Sequence, residues 1–111
     1  MKCRVEKSNI AGDIECPPNK SYTHRAIFIA SLAVDKSIIK NILRSEDTNA
    51  TIDACKNFGV EIDDVGNDIT VTSASELKIK SNTIDAANSG TTIRIAAALA
   101  SLADDQIPLT G

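Results

Sequence analysis

Two apolar patterns divide this chain into helices and strands. Residues 26–34 form a dense apolar run after a polar turn, which predicts a helix over 21–34 with Ser21 as N-cap. Because this helix has almost no polar face, we expect it to be enclosed by protein, with helices inside and sheets outside. A similar Ala-rich run predicts another helix over 89–103.

The rest of the chain contains short segments, in most of which apolar and polar residues alternate. Alternation over 60–63 and 69–72, with Gly66 between, predicts a β-hairpin. A helix before it is predicted to start at Asp47 or Thr48 and to end at Gly59. Other short strands are expected within 2–16, 37–43, 77–79 and 107–109. The order of elements predicts an α/β chain with a mixed sheet.

A shift of 70 residues relates two parts of the chain. It sets 19–25 against 89–95, and Ala-Ser-Leu-Ala at 30–33 against the same four residues at 100–103. Each copy has a polar turn, a hydroxyl near the cap, an Arg and an Ala-rich helix. A period of this size predicts a repeated α/β unit. The alternative is that Ala-rich helices resemble one another by composition alone.

Composition excludes several classes of protein. The chain has 111 residues, 42% apolar and 24% charged, which is typical of one globular domain or a piece of a larger one. A net charge of −3 argues against a nucleic-acid partner. No apolar stretch is long enough for a membrane span, and no signal peptide is visible. We therefore expect a soluble, cytoplasmic chain.

Three cysteines, Cys3, Cys16 and Cys55, are odd in number and widely spaced. This spacing fits neither a metal site nor a disulfide framework, and it agrees with a reducing compartment. We expect all three to be small apolar residues in or near the core.

The first polar turn carries the strongest chemical signal. Lys20, His24 and Arg25 place positive charge at a helix N-terminus, where a negative charge would stabilise the helix. Lys20 and His24 are four residues apart, as are Ser21 and Arg25, so each pair shares a side of the helix. The pattern favours an anion site; the alternative is a solvated cationic helix end. His24, without an acidic neighbour in sequence, is expected to pack or hydrogen-bond.

A second polar turn precedes the Ala-rich helix. Asn88 and Ser89 are capping residue types, Gly90 permits close approach of a ligand to the backbone, and Arg94 adds a cation. A plain N-cap is the alternative, but two such turns on related helices favour a shared anion site. A third turn, 45–48, has the charge expected of a cap and is interpreted as structural.

These turns carry a family resemblance. Four segments resemble the N-terminal part of the 5-enolpyruvylshikimate-3-phosphate (EPSP) synthase family. They are Pro-Pro-Asn-Lys-Ser-Tyr-Thr-His-Arg-Ala at 17–26, Ser-Glu-Asp-Thr at 45–48, Asn-Ser-Gly-Thr-Thr-Ile-Arg at 88–94 and Leu-Thr-Gly at 109–111. The resemblance implies an inside-out enolpyruvyl transferase fold with about one and a half βαβαββ units present. It makes 1–111 an incomplete N-terminal domain, with 1–20 a strand segment shared with a second domain.

The resemblance also implies a reaction. Members of the family transfer the enolpyruvyl group of phosphoenolpyruvate to the 5-hydroxyl of shikimate 3-phosphate and release phosphate, in the shikimate pathway of aromatic amino-acid biosynthesis. They work through a tetrahedral intermediate, without a metal or cofactor. By position, Lys20 would be catalytic and contact both substrates. The remaining roles would be shikimate 3-phosphate binding by Ser21 and Arg25, and phosphoenolpyruvate binding by Asn88, Gly90 and Thr91, with the role of Arg94 open.

Some features depart from the family or lie outside the chain. Family members commonly read Pro-Gly-Ser-Lys-Ser, so Pro18 and Asn19 are expected to stiffen the first turn. The family's acid/base carboxylate and lysine lie beyond Gly111, so we expect these 111 residues alone to be inactive and able to self-associate, whereas the parent enzyme would be monomeric. The alternatives are a UDP-N-acetylglucosamine enolpyruvyl transferase, which has Lys-Asn at positions 20–21, and a non-catalytic anion-binding module.

Overall fold

Three helices and five strands form among the residues that the structure describes. The computed structural model describes residues 1–74, 76–81, 83–104 and 106–111. The helices pack against one another and against two small sheets, so the predicted α/β class is confirmed. The helices are α1 (Lys20–Leu32), α2 (Glu46–Asn57) and α3 (Gly90–Ala100).

The strands divide between an antiparallel and a parallel sheet. The first sheet has the order β1-β3-β2, with β1 (Lys36–Ile39) and β2 (Glu61–Asp63) on either side of β3 (Ile69–Thr72). Its β2–β3 pair confirms the predicted hairpin. In the second sheet, β4 (Ile84–Asp85) pairs in parallel with β5 (Leu109–Thr110), and α3 forms the crossover that a parallel pair requires.

Two strand predictions are wrong. Residues 1–18, all of them described, form no strand, and Val5, Ile10 and Ile14 are exposed. Alternation of apolar and polar residues indicates a strand, but a strand also needs a hydrogen-bonded neighbour, and this segment has none among the described residues. The assignment of 1–20 to a strand shared with a second domain stays a prediction.

The second wrong strand is the one predicted over 77–79. The N–H groups of Lys78 and Lys80 donate to the carbonyl oxygens of Phe58 (3.2 Å) and Asn57 (2.8 Å). The segment is therefore held by the C-terminal end of α2, whose last carbonyls need partners from outside the helix. The strand that does form in this region, β4, was not predicted.

Helix capping corrects two predicted starts. Asn19, and not Ser21, caps α1, because its side chain accepts the N–H of Tyr22 (3.0 Å). Ser45 caps α2 in a reciprocal capping box with Thr48, so the cap is neither Asp47 nor Thr48. In both helices an extended residue accepts from the N–H three positions later, which is the usual N-cap geometry.

Two other local predictions are confirmed. Gly59 has φ +91° just after the last residue of α2, as expected for a left-handed helix terminator. The caps of α1 and α3, Asn19 and Ser89, lie 70 residues apart, and each accepts from the N–H three positions later. The repeat seen in the sequence therefore corresponds to the same local structure at both helix starts.

The core lies where the three helices meet the strands, but it covers only one side of α1. Ile27 and Phe28 are buried, whereas Tyr22 and Ile29 are 70% and 68% exposed. Within the described residues α1 is therefore covered on one side only, and its enclosure on the other side stays a prediction. The cysteine prediction holds for Cys55, which is buried, and is wrong for the other two, which are exposed on the N-terminal segment.

Candidate functional site

The start of α1 presents a cation that is held by a neighbouring helix. Lys20 is the first helical residue, and its Nζ lies 2.6 Å from Oδ2 of Asp47 in the first turn of α2. This hydrogen bond from Lys20 is the main cause that lowers the pKa of the Asp47 carboxyl. Because α1 has no acidic residue in its own first turn, Asp47 supplies the nearby negative charge.

Two other predicted residues lie on the exposed surface of α1. Ser21 and Arg25 are both exposed and one turn apart. The Arg25 guanidinium carbon lies 5.6 Å from the centroid of the Tyr22 ring, within the range of a cation–π contact. A hydroxyl and a planar cation are thus both accessible to an anion approaching this turn.

The start of α3 is preceded by an unusual turn. Ala87 and Asn88 have φ values of +46° and +62°, a left-handed conformation that is uncommon for residues with a side chain. The turn is held by Asp85 Oδ1, which accepts the Ala87 N–H (2.9 Å), and by the Ala86 carbonyl, which accepts the Ser89 N–H (2.8 Å). Strained residues of this kind concentrate at ligand-binding turns.

Gly90 contributes space to this turn. It is the first residue of α3, it does not adopt a left-handed φ, and a β-carbon placed on it would meet nothing within 4 Å. Neither backbone strain nor internal packing therefore requires glycine here. Asn88, Gly90 and Thr91 are all exposed, and Arg94 is exposed one turn further along α3.

Asp47 joins the two helix starts. Its carboxylate accepts from Lys20, and its backbone carbonyl accepts from Thr92 Oγ1 at 3.3 Å and from Thr51 Oγ1 at 3.5 Å. The first turns of α1 and α3 are thus both bonded to the same residue of α2. This geometry supports the prediction that the two turns share one site.

The sequence did not indicate this role of Asp47. The 45–48 turn was interpreted as structural, and Ser45 and Thr48 do form its capping box. An acidic residue in a first turn is so common that it gives no signal by itself. Its partner Lys20 is 27 residues away, and only the packing of α1 on α2 brings the two together.

Behind the two turns lies a buried line of polar side chains. His24 is 1% exposed, and its Nδ1 is 2.7 Å from Thr51 Oγ1, so the prediction of a hydrogen-bonding histidine is confirmed. Burial is the main cause that lowers the pKa of His24, and the positive charge of Lys20 adds to it, while Asp47 opposes it. Thr51 Oγ1 is in turn 2.7 Å from Thr92 Oγ1.

The residue types at the two helix starts are those that an anion site would use. Each helix start has a cation on or near its first turn, Lys20 on α1 and Arg94 one turn into α3, and a helix N-terminus favours phosphate or carboxylate groups. Among the described residues, no group of three or more His, Cys, Asp or Glu side chains could hold a metal ion. Within the same residues, no helix has the length and apolar character needed to cross a membrane.

Comparisons with known proteins identify the family of the chain. Residues 5–111 match the family model for EPSP synthase (3-phosphoshikimate 1-carboxyvinyltransferase). The 3-phosphoshikimate 1-carboxyvinyltransferase of Nitrosopumilus maritimus is 53% identical over 111 residues, covering the whole of this chain and 26% of the relative. That of Methanothermobacter thermautotrophicus is 44% identical over 113 residues, covering all of this chain and 27% of the relative.

Solved structures show the same similarity. An EPSP synthase structure from Acinetobacter baumannii superposes with a TM-score of 0.73 at 28% identity, over 81% of this chain and 21% of that one. The chain spans about a quarter of the length of the curated relatives it matches. The match of residues 5–111 to the family model shows that the chain belongs to the EPSP synthase family.

Proposed function

We propose that this chain supplies part of the active site for transfer of the enolpyruvyl group from phosphoenolpyruvate to the 5-hydroxyl of shikimate 3-phosphate. The observation that carries the proposal is the joining of two anion-facing helix starts at Asp47. Both substrates are anionic, so bringing them together requires positive charge at preorganised positions. Relatives that contain a matching quarter are named for this reaction.

Lys20 is proposed as the catalytic residue of this wall of the site. The Lys20 side chain is half exposed and is held by a single carboxylate, so its ammonium can bind a substrate anion while it stays bonded to Asp47. In the reaction, the 5-hydroxyl adds to C2 of phosphoenolpyruvate while C3 is protonated. Loss of phosphate from C2 and of a proton from C3 then restores the double bond. A fixed cation stabilises the phosphate charge that develops as the C–O bond breaks.

The two turns divide the substrates between them. Ser21 and Arg25, exposed one turn apart on α1, are proposed to bind shikimate 3-phosphate through a hydroxyl and a guanidinium. On α3, Asn88 and Thr91 are proposed to bind phosphoenolpyruvate, which approaches the backbone where Gly90 leaves open space. We therefore expect substitutions in the first turn of α1 to raise the KM for shikimate 3-phosphate, and substitutions at the start of α3 to raise the KM for phosphoenolpyruvate.

The two alternatives differ at identifiable features. A UDP-N-acetylglucosamine enolpyruvyl transferase would have Asn at the position of Ser21, whereas this chain has serine there and matches the family model for EPSP synthase. An anion-binding module without catalysis would bind shikimate 3-phosphate and a simple sugar phosphate equally well. A cytosolic location is proposed with the biosynthetic role.

A chimera tests the proposed function. The matched quarter of the N. maritimus relative is replaced by this chain, and phosphate release is measured with both substrates. We expect turnover that requires both substrates and falls by about 100-fold or more in Lys20→Ala, the range for loss of one charge-stabilising group. Lys36→Ala, an exposed lysine on β1, is the matched control and should keep the rate.

The outcomes separate the role of Lys20 from the function as a whole. A folded chimera without phosphate release, verified by circular dichroism, contradicts the proposed function. An active chimera that tolerates Lys20→Ala contradicts only the catalytic role of Lys20.

A further inference from the structure

The buried polar line behind the site is continuous from α1 to α3. His24 Nδ1 is 2.7 Å from Thr51 Oγ1, which is 2.7 Å from Thr92 Oγ1, which is 2.7 Å from Ser89 Oγ. All four side chains are at most 2% exposed. Ser89 is the N-cap of α3 and adjoins Gly90, so the line ends at the second anion-facing turn.

The direction of these hydrogen bonds can be derived from proton counting. Thr92 Oγ1 has one proton, and Ser89 Oγ at 2.7 Å is a closer acceptor than the Asp47 carbonyl at 3.3 Å. When Thr92 donates to Ser89, the Thr51 hydroxyl donates to Thr92, and the Nδ1–H of His24 donates to Thr51. Ser89 Oγ then accepts both the hydroxyl and the backbone N–H of Thr92.

The opposite direction is disfavoured by the other ring nitrogen of His24. Nε2 is buried and has no hydrogen-bond partner among the described residues. If Ser89 donated towards His24, Nδ1 would be the acceptor and Nε2 would carry an N–H with no acceptor. A buried N–H without a partner is rarer and more costly than a bare acceptor. The geometry thus favours a neutral imidazole with its proton on Nδ1.

We propose that His24 is a positioning residue for the α3 turn, fixing the Ser89 cap through Thr51 and Thr92 so that Asn88 and Gly90 keep a set place relative to Lys20. Only the expected effects on substrate KM values rest on the proposed function. The charged groups near His24 are Lys20 on α1 and Asp47 on α2, and its hydrogen-bond partner Thr51 is also bonded to the uncharged hydroxyl of Thr92 on α3.

The first test needs no ligand. The chain has one histidine, so nitrogen NMR of the imidazole gives a single pair of ring signals. We expect a proton on Nδ1 and none on Nε2 at neutral pH. The Nδ1 signal should shift in Thr51→Val and in Thr92→Val, which remove hydroxyls at nearly constant volume. Thr48→Val is the matched control, because Thr48 is equally buried but bonds elsewhere, and it should leave the ring signals unchanged.

The second test follows the effect to the turn. In His24→Leu the amide signal of Gly90 should move, and in His24→Asn, which keeps a polar atom near the position of Nδ1, it should return towards the wild-type position. In the chimera, His24→Leu and Thr51→Val should raise the KM for phosphoenolpyruvate roughly 3- to 10-fold, the equivalent of one lost hydrogen bond, with the KM for shikimate 3-phosphate within about twofold.

Defined results would overturn the inference. Each of three results would contradict it. These are a proton on Nε2, imidazole signals that are unchanged in Thr92→Val, and equal rises in the KM values for the two substrates. Thr51→Val and His24→Asn keep the test decisive where His24→Leu fails to fold. A chimera that is inactive with its wild-type residues contradicts the proposed function, while the NMR of the chain alone still decides the positioning role.

Discussion

Replacing Gly90 by alanine should separate the stability of the fold from the binding of phosphoenolpyruvate. Gly90 opens α3 without a left-handed φ, and an added β-carbon meets nothing within 4 Å. Alanine loses less conformational freedom on folding than glycine and is the better helix former. We expect Gly90→Ala to raise the free energy of unfolding by about 0.4–1 kcal/mol, the range for Gly→Ala at an unstrained site.

Binding should respond in the opposite direction. The added methyl group occupies the space through which a ligand is proposed to approach the backbone of this turn. Crowding of this kind in a fitted site typically costs about 1–3 kcal/mol, which corresponds to a rise of about 5- to 150-fold in the KM for phosphoenolpyruvate. The KM for shikimate 3-phosphate, which is assigned to Ser21 and Arg25, should change little.

Gly59→Ala is the matched control for stability. Gly59 has φ +91°, and a β-carbon there would lie 3.0 Å from the Lys78 carbonyl oxygen. A left-handed residue with a β-carbon costs about 1–2 kcal/mol, so Gly59→Ala should destabilise the chain by at least that amount. Urea unfolding followed by circular dichroism measures both variants, and the chimera gives the KM values. If Gly90→Ala is as destabilising as Gly59→Ala, the fold requires glycine at this position; if it leaves the KM for phosphoenolpyruvate unchanged, this substrate does not bind against Gly90.

Three further outcomes are expected. Asp47→Asn removes a negative charge beside Lys20 that repels an approaching anion, so inorganic phosphate should shift the Lys20 amide at lower concentration; an unchanged titration would contradict this repulsion. The folded pKa of His24 lies below its unfolded value of about 6.5, so the unfolded chain binds more protons and the free energy of unfolding should fall as pH is lowered through that value; the same slope in His24→Asn would contradict this source. Burial raises the pKa of the Cys55 thiol to about 11, so a thiol reagent at neutral pH should label the two exposed cysteines rapidly and Cys55 only after unfolding.

The sequence predicted local structure well where one segment determined it. The hairpin, the positions of α1 and α3 and the left-handed Gly59 all follow from short patterns of spacing and turn residues. Caps were harder, because Asn19 and Ser45 stand beside other capping residue types. Only the hydrogen bonds decide which side chain accepts the free N–H.

Predictions that depend on distant partners were weaker. Alternation within 2–16 could not show that no neighbouring strand is present among the described residues, and an apolar α1 could not show that Ile29 would stay exposed. At the site, the sequence identified Lys20 because its positive charge lies at a helix N-terminus. It did not identify the roles of Asp47, Thr51 and Thr92. Their roles arise from contacts across 27 to 45 residues of sequence, which composition and periodicity do not encode.

The proposed function requires that the starts of α1 and α3 form one site for two anionic substrates. An NMR titration of the chain with shikimate 3-phosphate, alone and with phosphoenolpyruvate present, tests this requirement. We predict that shikimate 3-phosphate shifts the amides of Ser21 and Arg25, that phosphoenolpyruvate shifts those of Gly90 and Thr91, and that glucose 6-phosphate at equal concentration has a smaller effect. Equal shifts with either sugar phosphate, or shifts away from both helix starts, would contradict it.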